Sequence, residues 1–324
     1  MTDVAAESIG NEPPPLHPVD EAVISRLGYG PDVQRLRTGL FEWVATASDE
    51  MRPQLQWQFC GRAKYFRPLT VFACCRASRP DRVSPEILRG AIAIELLHNV
   101  SLIVDDILDA SDERRGVATL HRRFGALPAL MASGYVVADA FRMLAEDAMG
   151  IRLLAELLRR LGVAECLQWR LRRQPLGVED WRVLAGEDTG TMFEVCACMG
   201  ARSEDLRKFG RLLGMLYHGC DDVGDARGLE ALGGGGDEDV RDGILTLPAA
   251  LAIRDSRIRA QFCKADPTVA ELQETADAVR GRVEEAEVYL DGLADEARAE
   301  AFTRAPNPEP LFALIDHTRQ LSRR

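Results

Sequence analysis

From Ile92 to Leu108 the chain is apolar on nearly every side of a helix, and the run closes on Asp105, Asp106 and Asp109. A helix without a polar face has nothing to offer water, so it belongs at the centre of a bundle, enclosed by other helices. Ser84-Pro85-Glu86 opens it, with serine as cap and proline in the first turn. The remaining sequence supplies suitable neighbours. Val33, Leu36, Leu40, Trp43 and Val44 form one stripe of a helix over Asp32–Ala47, and Pro68 opens an apolar helix through Val71, Phe72 and Cys75. The same periodicity predicts helices over Leu127–Asp147, Ile151–Arg173, Val178–Met199, Glu204–Asp225, Leu247–Arg254, Thr268–Ala301 and Pro310–Ser322. Aromatic residues are only 6% of the 324, and no alternating strand pattern of useful length appears, which argues against a β-sandwich or barrel. The expected fold is all-α. One large bundle covers residues 25–324, and residues 1–24, with Pro13-Pro14-Pro15, form a disordered tail.

The net charge of −11 argues against a nucleic-acid partner or an anionic membrane surface. No uninterrupted apolar run approaches membrane-spanning length, and Met1-Thr2-Asp3-Val4 does not open a secretory signal, so a cytoplasmic location is expected. The eight cysteines include no C-x-x-C pair and do not cluster with the histidines. They read as reduced, mostly buried thiols rather than disulfides or zinc ligands.

Two segments resemble each other: Asp105-Asp106-Ile107-Leu108-Asp109 and Asp221-Asp222-Val223-Gly224-Asp225. On a helix the three aspartates of each share one face, and with no cation between them they repel. One such cluster is ordinarily a solvated acidic helix end. Two, each closing an apolar helix, point instead to Mg²⁺ held jointly by carboxylates, water and polyphosphate oxygens. Cations for the anion follow in Arg114-Arg115 and precede in Gly61-Arg62-Ala63-Lys64-Tyr65-Phe66-Arg67-Pro68. Lys64 stands out because the chain has only two other lysines, Lys208 and Lys264, among 40 basic residues.

In order, G-R-A-K-Y-F-R-P, E-L-L-H-N-V-S-L-I-V-D-D-I-L-D-A-S-D-E-R-R-G, C-D-D-V-G-D and D-V-R-D-G-I-L-T-L-P resemble the trans-isoprenyl diphosphate (polyprenyl) synthases over residues 25–324. The resemblance implies a helical bundle of the isoprenoid synthase type with a central apolar cavity, a homodimer, and two substrates, an allylic diphosphate and isopentenyl diphosphate. It further implies three Mg²⁺ ions. Asp105, Asp106 and Asp109 would hold those on the allylic diphosphate, with Asp221, Asp222 and Asp225 holding the third from the opposite helix. Arg114 would contact the allylic diphosphate, and Thr189 would be a further substrate-binding residue. Gly61, Lys64, Arg67, His98 and Arg115 would hold the diphosphate of isopentenyl diphosphate. Val100 and Ser101, with Leu97 and Ile94 one turn deeper, would form the floor that limits product length, and their modest size implies products of the C15–C20 class, C20 above C15.

The chain also departs from that pattern. Lysine is usual where Asp188 and Ile244 stand and in the loop after the second motif, here Gly233–Gly236; glutamine is usual where His218 stands. All the lost lysines belong to the allylic side. Compensation is expected from a nearby arginine such as Arg227 or Arg241, from an Asp188 that points away, or from a different substrate. Rival readings are a diverged terpene cyclase, a prenyltransferase for another acceptor, and a non-catalytic subunit of a hetero-oligomeric synthase. The retained Lys64, Arg67 and Arg115 count against the cyclase, and six retained aspartates count against the inactive subunit.

Overall fold

The computed structural model describes residues 15–61, 63–79, 83–114, 116–228 and 236–323. The first part of the chain supplies α1 (Pro18–Arg26), α2 (Gly30–Ala45), α3 (Arg52–Phe59), α4 (Phe66–Ser78) and α5 (Pro85–Leu108). A short antiparallel ribbon of β1 (Glu113–Arg114) and β2 (Val117–Ala118) follows, then α6 (Leu120–Phe124), α7 (Ala126–Met143) and α8 (Ala148–Leu171). Next come α9 (Val178–Glu187), α10 (Thr189–Ala201), α11 (Arg207–Ala226), α12 (Gly236–Asp242) and α13 (Leu247–Ala252). The chain closes with α14 (Ser256–Phe262), α15 (Val269–Arg280), α16 (Val283–Arg304) and α17 (Glu309–Arg319). The expected all-α bundle is what forms.

Two helices lie at its centre. In α5 the residues Gly90 to Leu97 are buried without a break, and the Ser84 hydroxyl caps its N-terminus by accepting from Ile87 N at 3.3 Å. In α10 every residue from Gly190 to Ala201 is buried, between α4, α5, α8 and α11. Phe72, Leu96, Leu97, Phe193 and Phe209 are among the fully buried side chains, each contributing about 1.5–3 kcal/mol of apolar transfer. Glycines set the spacing around α10. A Cβ on Gly200 would stand 2.2 Å from the Val71 carbonyl oxygen, and one on Gly214 would stand 2.7 Å from the Gly190 Cα. No side chain fits either place, so α4 and α11 close on α10 to backbone contact.

By length and composition α5 is able to cross a membrane, which the expectation of no such segment missed; 67% of that stretch is buried inside the bundle. Other differences are local. Pro18–Arg26 is helical although a tail through residue 24 was expected, because Pro18 starts the helix and Ile24 is buried at 2% exposure. Residues 1–14 lie outside the described residues. The single helix expected over Val178–Met199 breaks at Asp188, whose ψ of −100° is not helical. The one expected over Thr268–Ala301 breaks at Gly281 and Arg282. The short helices α3, α6, α12 and α14 were not expected, since eight residues or fewer are too short to display a helical period. All eight cysteines are free thiols, five of them buried.

Candidate active site

Helix α5 ends at Leu108, and the chain reverses through the ribbon rather than continuing as a helix. Gly116 makes the reversal with φ +77°, a left-handed conformation that glycine adopts without strain. Trp57 Nε1 on α3 donates to the Ala118 carbonyl at 2.9 Å and anchors the ribbon. The result is that Arg114 folds back onto α5 and donates from Nε and Nη2 to Asp106 Oδ1, each at 2.8 Å. Arg114, which follows the first motif in sequence, thus pairs directly with one of its aspartates. Arg115 lies outside the described residues.

Asp106 and Arg114 form one wall of a cleft of about 100 Å³, also lined by Gly61, Lys64, Arg67 and His98. Segments distant in sequence meet here. Tyr65, at the head of α4, takes φ +53°, a left-handed conformation costly for a residue with a Cβ, and turns the chain between Lys64 and Arg67. Arg67 Nη1 donates to His98 Nε2 at 3.0 Å, so that nitrogen is the acceptor of the imidazole. The guanidinium also lies over the Phe193 ring, 5.7 Å from its centroid. Its Nε is buried and finds no partner among the described residues. Gln58, Glu95 and Asn99 share the cleft wall: Gln58 Nε2 donates to Asn99 Oδ1 at 3.0 Å, and Asn99 Nδ2 donates to the Glu95 carbonyl at 2.9 Å.

The other aspartates face a different environment. Burial, then the charges of Glu165 and Asp188, push the Asp105 carboxyl up to about 7. Burial, Asp188 and Asp109 likewise raise Glu165, on α8. Across the bundle, burial and the neighbouring Asp225 push Asp221 up to about 7, while His218 and Lys64 pull it down. Burial and the charges of Asp222, Asp225 and Asp221 push Asp239, on α12, up to about 8. Asp222 differs: its Oδ2 accepts from Trp181 Nε1 and from Leu247 N, both at 2.8 Å, and its Oδ1 lies 3.7 Å from His218 Nε2. The protein itself takes up one oxygen of this carboxylate, which the resemblance counts among the metal ligands.

For a divalent cation the donor chemistry is suitable: oxygen only, anionic and crowded against its own repulsion. Among the described residues no three His, Cys, Asp or Glu side chains converge closely enough to hold an ion by themselves. The carboxylates thus fit Mg²⁺ that keeps water and takes its remaining oxygens from a diphosphate, and they do not form a closed cage.

Other expected residues lie outside this cleft. Leu97 and Val100 are packed in the core and Ser101 donates to the His98 carbonyl at 2.9 Å; none of the three lines the cleft. Arg227 is bound to Glu284 and Glu287, each at 3.1 Å, and Arg241 to Asp242. Of the Gly233–Gly236 loop, residues 233–235 lie outside the described residues, and Gly236 begins α12. Thr189 heads α10, where its hydroxyl meets His218 Nδ1 at 2.9 Å. Gln58, Asn99, Glu165 and Asp239 were not read as site residues. Asp239 alone carried a signal, as the first residue of D-V-R-D-G-I-L-T-L-P; the others are single polar residues whose convergence is made by packing.

Residues 51–279 match the family model described as polyprenyl synthetase. Geranylgeranyl pyrophosphate synthase 4 of Arabidopsis thaliana is 26% identical over 272 residues, 74% of this chain and 72% of that protein. Nonaprenyl diphosphate synthase of Mycobacterium tuberculosis is 27% identical over 293 residues, 84% and 87% of the two chains. Further Arabidopsis relatives are matched over 63% of their own length. A polyprenyl synthase from Caulobacter crescentus, crystallised with calcium and isoprenyl diphosphate, superposes with a TM-score of 0.81 at 23% identity, over 94% of this chain and 98% of that one. At that identity the likeness establishes the shared fold.

Proposed function

The chain belongs to the polyprenyl synthetase family, and from that premise we propose that it is a prenyltransferase joining an allylic diphosphate to isopentenyl diphosphate to give a longer trans-prenyl diphosphate. The observation that carries this reading is the cleft in which Gly61, Lys64, Arg67, His98 and Arg114 meet a motif aspartate, with the Arg67 Nε left for an anion to fill. A charge-assisted hydrogen bond to phosphate contributes about 1.5–3 kcal/mol, so three donors there suffice for a diphosphate. That second anion site favours condensation over cyclisation of a single substrate.

In this reading Lys64, Arg67 and His98 bind the diphosphate of isopentenyl diphosphate, with Arg115 as a further donor. Arg114 leaves Asp106 for the allylic diphosphate as that substrate enters. Asp105, Asp106, Asp109, Asp221 and Asp225 would hold Mg²⁺, with Asp222 orienting the end of α11. Mg²⁺ supplies charge stabilisation for the departing diphosphate. The apolar side chains of α4 and α5 exclude water from the allylic cation, so the double bond of isopentenyl diphosphate is the nucleophile that reaches it. The proton lost afterwards goes to the released diphosphate. The products are of about C20, since Val100 and Ser101 are small and Leu97 lies a turn deeper. Two copies of the chain associate through α7, where Leu127, Leu130 and Met131 share one exposed face.

The test is turnover of each allylic diphosphate with isopentenyl diphosphate and Mg²⁺. Asp105→Ala and Asp221→Ala should each lower kcat by at least about a thousandfold while the circular dichroism spectrum stays that of the parent, because removing one carboxylate from a repelling set does not unfold the bundle. EDTA should stop the reaction and added Mg²⁺ restore it. Retained turnover in either variant, or turnover unaffected by EDTA, refutes the assignment.

A further inference from the structure

Asp188 presents a problem to any anion that approaches the head of α10. The break between α9 and α10 sets this carboxylate at the helix N-terminus, beside Thr189 and close enough to Asp105 and Glu165 to raise both carboxyls. A diphosphate arriving there meets a charge of its own sign. A side chain from α11 reaches that charge. Because Gly214 has no Cβ, α11 closes onto Gly190, and the next turn carries His218 to the α9–α10 break. There His218 Nδ1 lies 2.9 Å from Thr189 Oγ1 and 3.6 Å from Asp188 Oδ2. On the other edge of the ring, Nε2 lies 3.7 Å from Asp222 Oδ1. The partners are themselves fixed: the Thr189 hydroxyl is 3.2 Å from Asp188 Oδ2, and Asp222 is held by Trp181 and by the Leu247 amide. Asp188 and His218 are two of the positions at which the chain leaves the family pattern, and they touch.

Resting on the prenyl-transfer reading, we propose that His218 is the positioning residue of the allylic diphosphate site, clasping Asp188 and Thr189 on one edge and Asp222 on the other. The clasp turns the Asp188 carboxylate onto the imidazole and offsets its charge, so that the substrate does not meet an uncompensated anion. It also holds Thr189 and the end of α11 in register across the break. Compensation for the missing lysines therefore comes from within the bundle, through a residue that need not touch the diphosphate.

A double-mutant cycle tests this. His218→Gln keeps a polar side chain of similar reach and removes the two-edged imidazole, so KM for the allylic diphosphate should rise at least about tenfold while KM for isopentenyl diphosphate stays within about twofold. Asp188→Asn alone should stay within about threefold of the parent. The double variant should recover most of the loss, because the charge that needed offsetting is gone. A purely structural role for His218 would raise both KM values together and would not be rescued by Asp188→Asn; that result overturns the proposal, as does an unchanged KM in His218→Gln. Calorimetric titration of the same four proteins with inorganic pyrophosphate and Mg²⁺ reads the clasp separately from catalysis. There the order should be weakened binding in His218→Gln and recovery in the double variant. If the parent turns over no allylic diphosphate while the titrations show this order, the prenyl-transfer reading fails and the clasp stands; equal binding by all four proteins overturns the clasp.

Discussion

Asp239 carries a carboxyl that burial and the charges of Asp222, Asp225 and Asp221 push up to about 8 from an ordinary 3.8. A raised carboxyl means that the folded chain holds a proton which the unfolded chain has released, so stability falls as pH rises. The loss begins above the unfolded value and is complete once pH passes the folded one, a window of about 4 to 8 for Asp239. Asp105 and Asp221, both pushed up to about 7, add to it in the same direction. Without metal, Asp239→Asn should therefore stabilise the protein more at pH 8.5 than at pH 5. The difference should grow by at least about 1 kcal/mol, or roughly 2–4 °C in Tm, in thermal melts at the two values. An identical gain at both pH values would show that the carboxyl carries no such penalty. The type and order of these residues were legible in the chain, since two D-D-x-x-D segments on apolar helices have few other uses. Which of the six would be committed inside the protein was not. Asp222 looks like its neighbours in sequence, and only the approach of Trp181 and Leu247 N sets it apart.

At the scale of elements, the existence of the long helices followed from periodicity, while the short helices and the helix ends did not. The long helices α2, α5, α7, α8, α11 and α17 lie where the apolar spacing predicts them, within a few residues. The breaks at Asp188 and at Gly281 were missed because the apolar spacing continues across them. The ribbon that returns Arg114 to Asp106 was likewise hidden, for two residues per strand show no alternation. Helix α5 also carries the prediction for product length. Val100 is buried at 8% exposure, somewhat more than one helical turn before Asp105, with the smaller Ser101 beside it. Val100→Phe should shift the main product to the next shorter prenyl diphosphate, with the C20 fraction falling at least about fivefold in a chromatographic product assay. An unchanged distribution would place the floor of the cavity on another helix.

For the whole molecule, the exposed apolar face of α7 is the feature that a lone chain does not explain. Leu127 is 69% exposed, Leu130 45% and Met131 53%, at i, i+3 and i+4 of one helix. With association through this face, Leu127→Asp combined with Met131→Asp should raise the dimer dissociation constant at least about a hundredfold in sedimentation velocity, and a dimer unaffected by the change would place the interface elsewhere. The sequence by itself determined the class of fold, the two acidic helix ends and the presence of a second cationic site, because periodicity, charge and residue order are local properties that no neighbour can alter. Tertiary structure alone decided the pairing of Arg114 with Asp106, the commitment of Asp222 and the clasp of His218 on Asp188. Each of those depends on backbones brought together from distant segments, and at Gly214 on the absence of a single Cβ, which sets how closely two helices approach and hence which charges meet.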